Sequence, residues 1–192
     1  MKEHTKAQVR EWVESIVIAV ILALFIRTFV VQAFKIPSGS MIPTFQIGDR
    51  IFVSKFIYGA RIPLTHFKLP AVRQPKRGDI IVFRSPEDPK KDFVKRLIAL
   101  GGETVEIKDG KIYIDEKMIE EPSSIKAVYY YNAGDYGQDG IKMKVPEGSY
   151  FGLGDNSASS RDSRYWGFIP KDNMIGKVIF LYWPIHRVRV VK

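Results

Sequence analysis

The run "ESIVIAVILALFIRTFVVQAF", Glu14 to Phe34, constrains this chain more than any other stretch. Ile16 to Ile26 is unbroken apolar, Arg27 and Thr28 interrupt it, and Phe29 to Val31 resume it. As a helix rising ~1.5 Å per residue, Ile16 to Val31 covers about 24 Å, somewhat short of a ~30 Å hydrocarbon core. Trp12 and Val13 extend it into the interface, and Arg27 can snorkel to the outer face. Three readings compete: a membrane anchor, a secretory signal cleaved after Ala33, and a buried core helix. The run resumes after Arg27, and a cut at Ala33 would fall beside a serine motif; both points favour the anchor. Lys2, Lys6 and Arg10 precede the span, which leans toward a cytoplasmic N-terminus. The expected division is a short cytoplasmic segment, 1–12, a single transmembrane anchor, 13–33, and an extracytoplasmic domain, 34–192.

Beyond residue 35 helical periodicity is scarce, and short apolar runs recur between turn signals. They are 50–56, 79–84, 93–100, 104–108, 111–115, 127–131, 141–145, 149–154, 177–183 and 186–191. Asp109-Gly110 between two alternating runs is a two-residue hairpin signal. The 192 residues are 45% hydrophobic and 27% charged, enough for a folded core. Many short strands with regular turns predict a mainly β fold, an antiparallel sandwich or barrel-like domain following the helix. Residues 58–77, with Pro63, Pro70 and Pro75, read as a loop, and 132–140, "NAGDYGQDG", as a mobile hairpin tip.

Composition removes several chemistries. There is no cysteine, so disulfides, zinc-thiolate sites and cysteine nucleophiles are excluded. The three histidines, His4, His66 and His186, have no metal-ligand spacing, and no metal or organic cofactor is expected. The net charge of +9 is spread along the chain without a dense block or nucleic-acid motif. With the oily N-terminus it points to a membrane surface before nucleic acid.

"KIPSGSMIPTF", Lys35 to Phe45, places two serines two apart around a glycine. A serine hydroxyl needs a base within hydrogen-bond reach. None of the histidines has an obvious acid partner, and His4 precedes the apolar span. Lysine is the alternative. At pH 7 only about one free lysine in 2,500 is neutral, but at a pKa near 8 about one in ten is, and apolar burial lowers lysine pKa values by up to ~3–5 units. In "DFVKRLIAL" side chains alternate, so Lys95 shares a strand face with Phe93 and Leu97, while Val94, Arg96 and Ile98 share the other. The competing reading is that Lys95 and Arg96 mark an exposed strand edge.

"IPSGSMIPT" at 36–44, "GDRIFVSKFIYG" at 48–59, "GDIIVFRSPEDPKKDFVKR" at 78–96 and "GDNSASSRDSRYWGFIP" at 154–170 resemble, in order, the characteristic boxes of the bacterial type I signal peptidases. The likeness spans nearly the whole chain. It departs at "ALGGE", 99–103, where that family commonly has proline between glycines.

The resemblance implies a membrane-anchored serine endopeptidase that removes signal peptides from exported preproteins at the outer face of the cytoplasmic membrane. It implies Ser40 as nucleophile, Lys95 as general base, Ser38 as an oxyanion-hole donor and Ser160 as a hydrogen-bond partner of the lysine. Ser157 and Ser159 compete with Ser160 by sequence alone. Asp162 and Arg164 match a pair that braces the site; as bare sequence they, with Asp155, also read as an ordinary turn held by surface charges. Shallow pockets for small residues at −1 and −3 fall on Phe34, Ile36, Pro37, Met41, Ile51, Val82 and Val94; Ile51 and Val82 also read as plain core. The implied partners are preproteins and the lipid bilayer, with the secretion translocon a further candidate. Two rivals stand beside this reading: a related serine/lysine autoprotease, and a non-catalytic anchored β-domain that binds lipid or envelope proteins.

Overall fold

The computed structural model describes residues 2–60, 67 and 69–191. His66 and the rest of 61–66, with residue 68, lie outside the described residues, so the 58–77 loop is described only in part. The chain opens with α1 (Lys2–Phe25), continued by a π-helical turn, Ile26–Val30. Arg10–Val30 is long and apolar enough to cross a membrane, with a mean hydropathy of 2.3, and none of its most apolar stretch is buried against the rest of the chain. That exposure argues against the buried-core-helix reading.

Twelve strands follow among the described residues: β1 (Val31–Lys35), β2 (Arg50–Ser54), β3 (Ile80–Arg84), β4 (Asp92–Leu100), β5 (Thr104–Lys108), β6 (Lys111–Ile114), β7 (Lys117–Met118), β8 (Met143–Lys144), β9 (Ser149–Leu153), β10 (Ile169–Pro170), β11 (Met174–Trp183) and β12 (Arg189–Val190). The larger sheet runs β1-β2-β11-β3-β4-β9-β10, with β12 also on β11; the smaller runs β7-β6-β5-β8. Every pairing is antiparallel, as the short alternating runs predict. Register shifts between β11 and its neighbours, and between β4 and β9, mark bulges that add twist and curl the larger sheet. The Asp109-Gly110 turn has positive φ at both residues, 51° and 73°, which suits the right-handed twist of β5 and β6.

Three segments differ from expectation. Val31 to Ala33, assigned to the anchor by hydropathy, belong to β1, where Val31 pairs with Ser54 and Phe34 with Ile51. Val31, Phe34 and Ile51 are as apolar as a membrane span, so hydropathy cannot find the boundary. Lys55 Nζ reaches the carbonyls of Arg27 (3.4 Å) and Thr28 (3.5 Å), tying the end of the helix to the end of β2. Second, 127–131 is not a strand. Its alternation is real, with Tyr130 buried and Tyr129 and Tyr131 exposed. Its backbone, however, makes isolated bonds, Tyr130 N–H to the Gly110 carbonyl and Tyr131 N–H to Ser157 Oγ, instead of a ladder. A short helical turn, α2 (Ser123–Lys126), precedes it. Third, 132–140 is not a hairpin tip. Tyr136 N–H donates to the Arg164 carbonyl, and a Cβ on Gly134 or Gly137 would collide with Arg164. The segment lies over that arginine.

One core cluster fills the smaller sheet and its junction, with Val105, Ile107, Phe151 and Leu153 at its centre. A second holds Ile36, Met41, Phe45, Ile51, Val53, Val82 and Val178 under the serine motif. The serine motif is therefore mounted on close-packed apolar side chains, which resist displacement.

Candidate active site

The chain from Ile36 to Asp49 closes on itself. Ile36 N–H donates to the Asp49 carbonyl (2.8 Å) and Gly48 N–H to that of Ile36 (2.9 Å). Met41 and Phe45 point into the core, and a 3₁₀ turn over Gly39–Met41 lifts Ser40 to one side. Asn156 holds this turn, with its backbone N–H on the Ser40 carbonyl (3.0 Å) and its Nδ2 on that of Gly39 (3.0 Å).

Lys95 lies in β4, between β3 and β9, and is 3% exposed; it is no edge residue. Its Nζ is 2.8 Å from Ser40 Oγ and 3.0 Å from Ser160 Oγ. Two of the serines singled out in sequence thus converge on the nitrogen of Lys95. As an ammonium it donates to both hydroxyls. As a neutral amine it can accept the Ser40 proton while still donating to Ser160. Burial pushes its pKa down from 10.5 to about 8; the Arg164 charge adds to that, and Asp162 and Asp155 oppose it.

Ser160 follows a 3₁₀ turn, Ser157–Ser159. Its approach depends on Gly154, where a Cβ would stand 2.2 Å from Ser160 Oγ and 2.5 Å from the Ser40 carbonyl oxygen. The competing serines are otherwise employed: Ser157 Oγ accepts from Arg164 (2.8 Å) and Tyr131 N–H (2.9 Å), and Ser159 is exposed at the groove wall.

Asp162 and Arg164 are buried, not surface turn charges. Asp162 caps the short helix α3 (Ser163–Trp166) and accepts from Gly154 N–H (3.0 Å). Arg164 Nε and Nη2 each reach its carboxylate at 2.8 Å. The remaining guanidinium donors go to the Tyr131, Ser157 and Ser160 carbonyls and Ser157 Oγ, so the charge is fully solvated by protein.

A second buried pair was not read from sequence. Arg96 meets Asp155 at 2.7 and 2.6 Å, and Thr44 Oγ1 donates to the same carboxylate (2.5 Å). Asp155 therefore ties the strand after Lys95 to the loop after Ser40. The available signal was the strand alternation that turns Lys95 and Arg96 to opposite faces, each needing its own satisfaction. Nothing in the sequence around Asn156 signals its hold on the Gly39 and Ser40 carbonyls.

A groove of about 430 Å³ opens over these groups. Ser38, Ser40 and Lys95 line it, with Ile36, Pro37, Met41 and Val94 as apolar wall. Ser38 is in extended backbone with its side chain exposed to the groove. Ile51 and Val82 are fully buried in the cluster beneath, and Phe34 packs partly buried on the same cluster; these three do not line the groove. Lys91, Asp92 and Arg161 on its wall were not anticipated. His186 is exposed on the C-terminal 3₁₀ turn, outside the groove. Among the described residues no cluster of His, Cys, Asp or Glu is arranged to hold a metal.

A serine hydroxyl lies against a buried amine beside an apolar groove, and comparison with known proteins places the chain among the serine endopeptidases. A family described as signal peptidase, peptidase S26, matches residues 9–183, and the chain belongs to that family. It is 40% identical over 186 residues to the probable signal peptidase I-2 of a Synechocystis species, covering 92% of this chain and 76% of the relative. It is 35% identical to signal peptidase I of Pseudomonas aeruginosa (85% and 69% covered) and 38% identical to that of Bacillus licheniformis (97% and 95% covered). A crystal structure of a signal peptidase I from Enterococcus faecalis is 36% identical, with a TM-score of 0.46, covering 56% of this chain and 98% of that one.

Proposed function

We propose that this protein removes signal peptides from exported preproteins, with Ser40 as nucleophile and Lys95 as general base. The observation that carries the reading is the 2.8 Å approach of a buried lysine nitrogen to Ser40 Oγ. Ser40 Oγ attacks the scissile carbonyl as its proton passes to the neutral Lys95 amine. The tetrahedral intermediate collapses to an acyl-enzyme, and Lys95 returns the proton to the leaving amine. Water, deprotonated by the same amine, then releases the signal peptide. Ser160 and the backbone around it keep the amine aimed at Ser40 when its charge is absent.

Ser38 and the Ser40 backbone N–H are the oxyanion donors. Removing one such donor costs ~10²–10³ in kcat, so Ser38→Ala is expected to lose about that factor with little change in KM. A wild-type turnover in steady-state assays removes Ser38 from this role. The apolar wall of Ile36, Pro37, Met41 and Val94 admits small side chains at −1 and −3 and excludes large ones sterically, with Phe34, Ile51 and Val82 as the supporting layer. Residues 10–30 anchor the chain once in the cytoplasmic membrane, and the β domain stands on the extracytoplasmic side, where preprotein cleavage sites emerge beside the bilayer and the translocon. No metal or organic cofactor takes part in these steps.

The direct test is cleavage of a purified preprotein, with N-terminal sequencing of the product. A single new terminus after a small-x-small sequence is expected. No cleavage, or cleavage without regard to the −1 residue, overturns the proposal.

A further inference from the structure

The family match ends at residue 183, yet the residues beyond it reach back to the serine loop. We infer that Arg187 and Arg189 are positioning residues for the nucleophile, clamping the Ile36–Asp49 loop at Asp49 and at Thr44 in addition to the contacts made by Asp155 and Asn156. The inference rests on Ser40 being the nucleophile.

Arg187 Nη2 lies 3.1 Å from Asp49 Oδ2. The Asp49 side chain is 2% exposed, its carboxylate also accepts Gln46 N–H (2.8 Å), and its carbonyl accepts the Ile36 N–H that closes the loop. The arginine charge therefore rests on the residue that joins the two ends of the serine loop. Arg189 Nη2 donates to the Thr44 carbonyl. The hydroxyl of the same threonine donates to Asp155, so Thr44 is held from the tail and from the Gly-Asp-Asn segment at once.

The tail can act as a clamp because it is itself fixed. β12 pairs with β11, Arg189 opposite Leu181, and Val191 N–H donates to the Ile179 carbonyl (2.9 Å). Val191 packs in the same cluster as Ile36, Met41 and Phe45. A hydroxyl must sit within about 3–3.5 Å of its reacting partners, and a misplacement of ~1 Å can cost ~10²-fold. Holding the loop at both Thr44 and Asp49 limits the drift of Ser40 away from Lys95.

The test compares Arg187→Met/Arg189→Met with Arg187→Lys/Arg189→Lys, with Val190→Ala as a tail control and Ser40→Ala alongside. All are full chains in detergent micelles, with kcat and KM measured on a signal-peptide substrate and the folded fraction taken from thermal melts. The methionine variant is expected to lose at least tenfold in kcat per folded molecule with KM within twofold. The lysine variant should recover part of that, and Val190→Ala should match the parent. A wild-type kcat per folded molecule, or a loss carried by KM alone, overturns the clamp. Should the double variant fail to fold, Arg189→Met alone, which removes only the carbonyl contact, is judged by the same criteria. Activity in Ser40→Ala overturns the nucleophile assignment, and the clamp with it.

Discussion

Lys95→Met is expected to be inactive and yet more stable than the parent near pH 7. Without a base, proton removal from Ser40 falls to water, and turnover should drop by about 10⁴-fold, the upper end of what a positioned base contributes; Ser40→Ala should be equally inactive. Stability moves the other way because the parent holds a charge in an apolar wall. The amine titrates at about 8 when folded and at 10.5 when exposed. The unfolded chain therefore binds more protons between these values, and folding becomes more favourable as pH rises through that window. Below about 8 the full penalty is present, ~3 kcal/mol at ~1.4 kcal/mol per pKa unit. Methionine removes it at the expense of hydrogen bonds to two hydroxyls, leaving a net gain of about 1–2 kcal/mol. Denaturant melts at pH 7 and pH 10.5 check this: the gain should be present at the first and gone at the second. The parent's kcat/KM should rise about tenfold per pH unit up to about 8 and then level off. A rate flat from pH 6 to 9 would remove the lysine from the role of base.

Asp162→Ala should cause the largest loss of stability of any single change near the site. It leaves the Arg164 guanidinium, wholly buried, facing an empty space, and breaking such a pair costs ~3–5 kcal/mol. Against a typical stability of ~5–15 kcal/mol this is severe. Replacing both residues, as Asp162→Leu/Arg164→Met, should recover most of that stability, because the desolvation of two charges disappears along with their attraction. Activity should not return. Arg164 also holds the carbonyls of Ser157 and Ser160 and closes the turn that presents Ser160 to Lys95. Denaturant unfolding and turnover of the single and double variants separate these two effects. A loss under ~1 kcal/mol in Asp162→Ala would show that the pair does not brace the site.

The lysine face of β4 was legible from alternation alone, since Phe93, Lys95 and Leu97 must point one way. The Asp109-Gly110 turn was legible because both residues tolerate left-handed backbone. Its neighbour at Asp115 and Glu116 was not: both have positive φ, 49° and 69°, but only the local sheet demands it of a glutamate. Strand β1 was hidden because an apolar strand and a membrane span share the same alphabet. The 127–131 segment has strand-like alternation without a strand, and only the Gly110 carbonyl and Ser157 hydroxyl that occupy its backbone explain it. The pocket reading separated imperfectly, because Ile51 and Val82 resemble Ile36 and Val94 in every property except which side chain stands between them and the groove. The arginines of the tail were unreadable in one dimension, since their partners lie more than a hundred residues upstream.

The absence of slack between α1 and β1 has a geometric consequence. The helix gives way to the sheet at Val31 without a linker, and Lys55 grips the junction. With α1 seated in a bilayer, Ser40 is only about ten residues from the helix end, a reach of no more than about 36 Å even fully extended. The proposed enzyme would then work as a fixed-height cutter. On the proposed anchored reading, a preprotein would be sorted by how far its scissile bond rises above its own apolar stretch as well as by the size of the residue that precedes it, and two substrates with identical side chains at the cut would differ in fate by elevation alone.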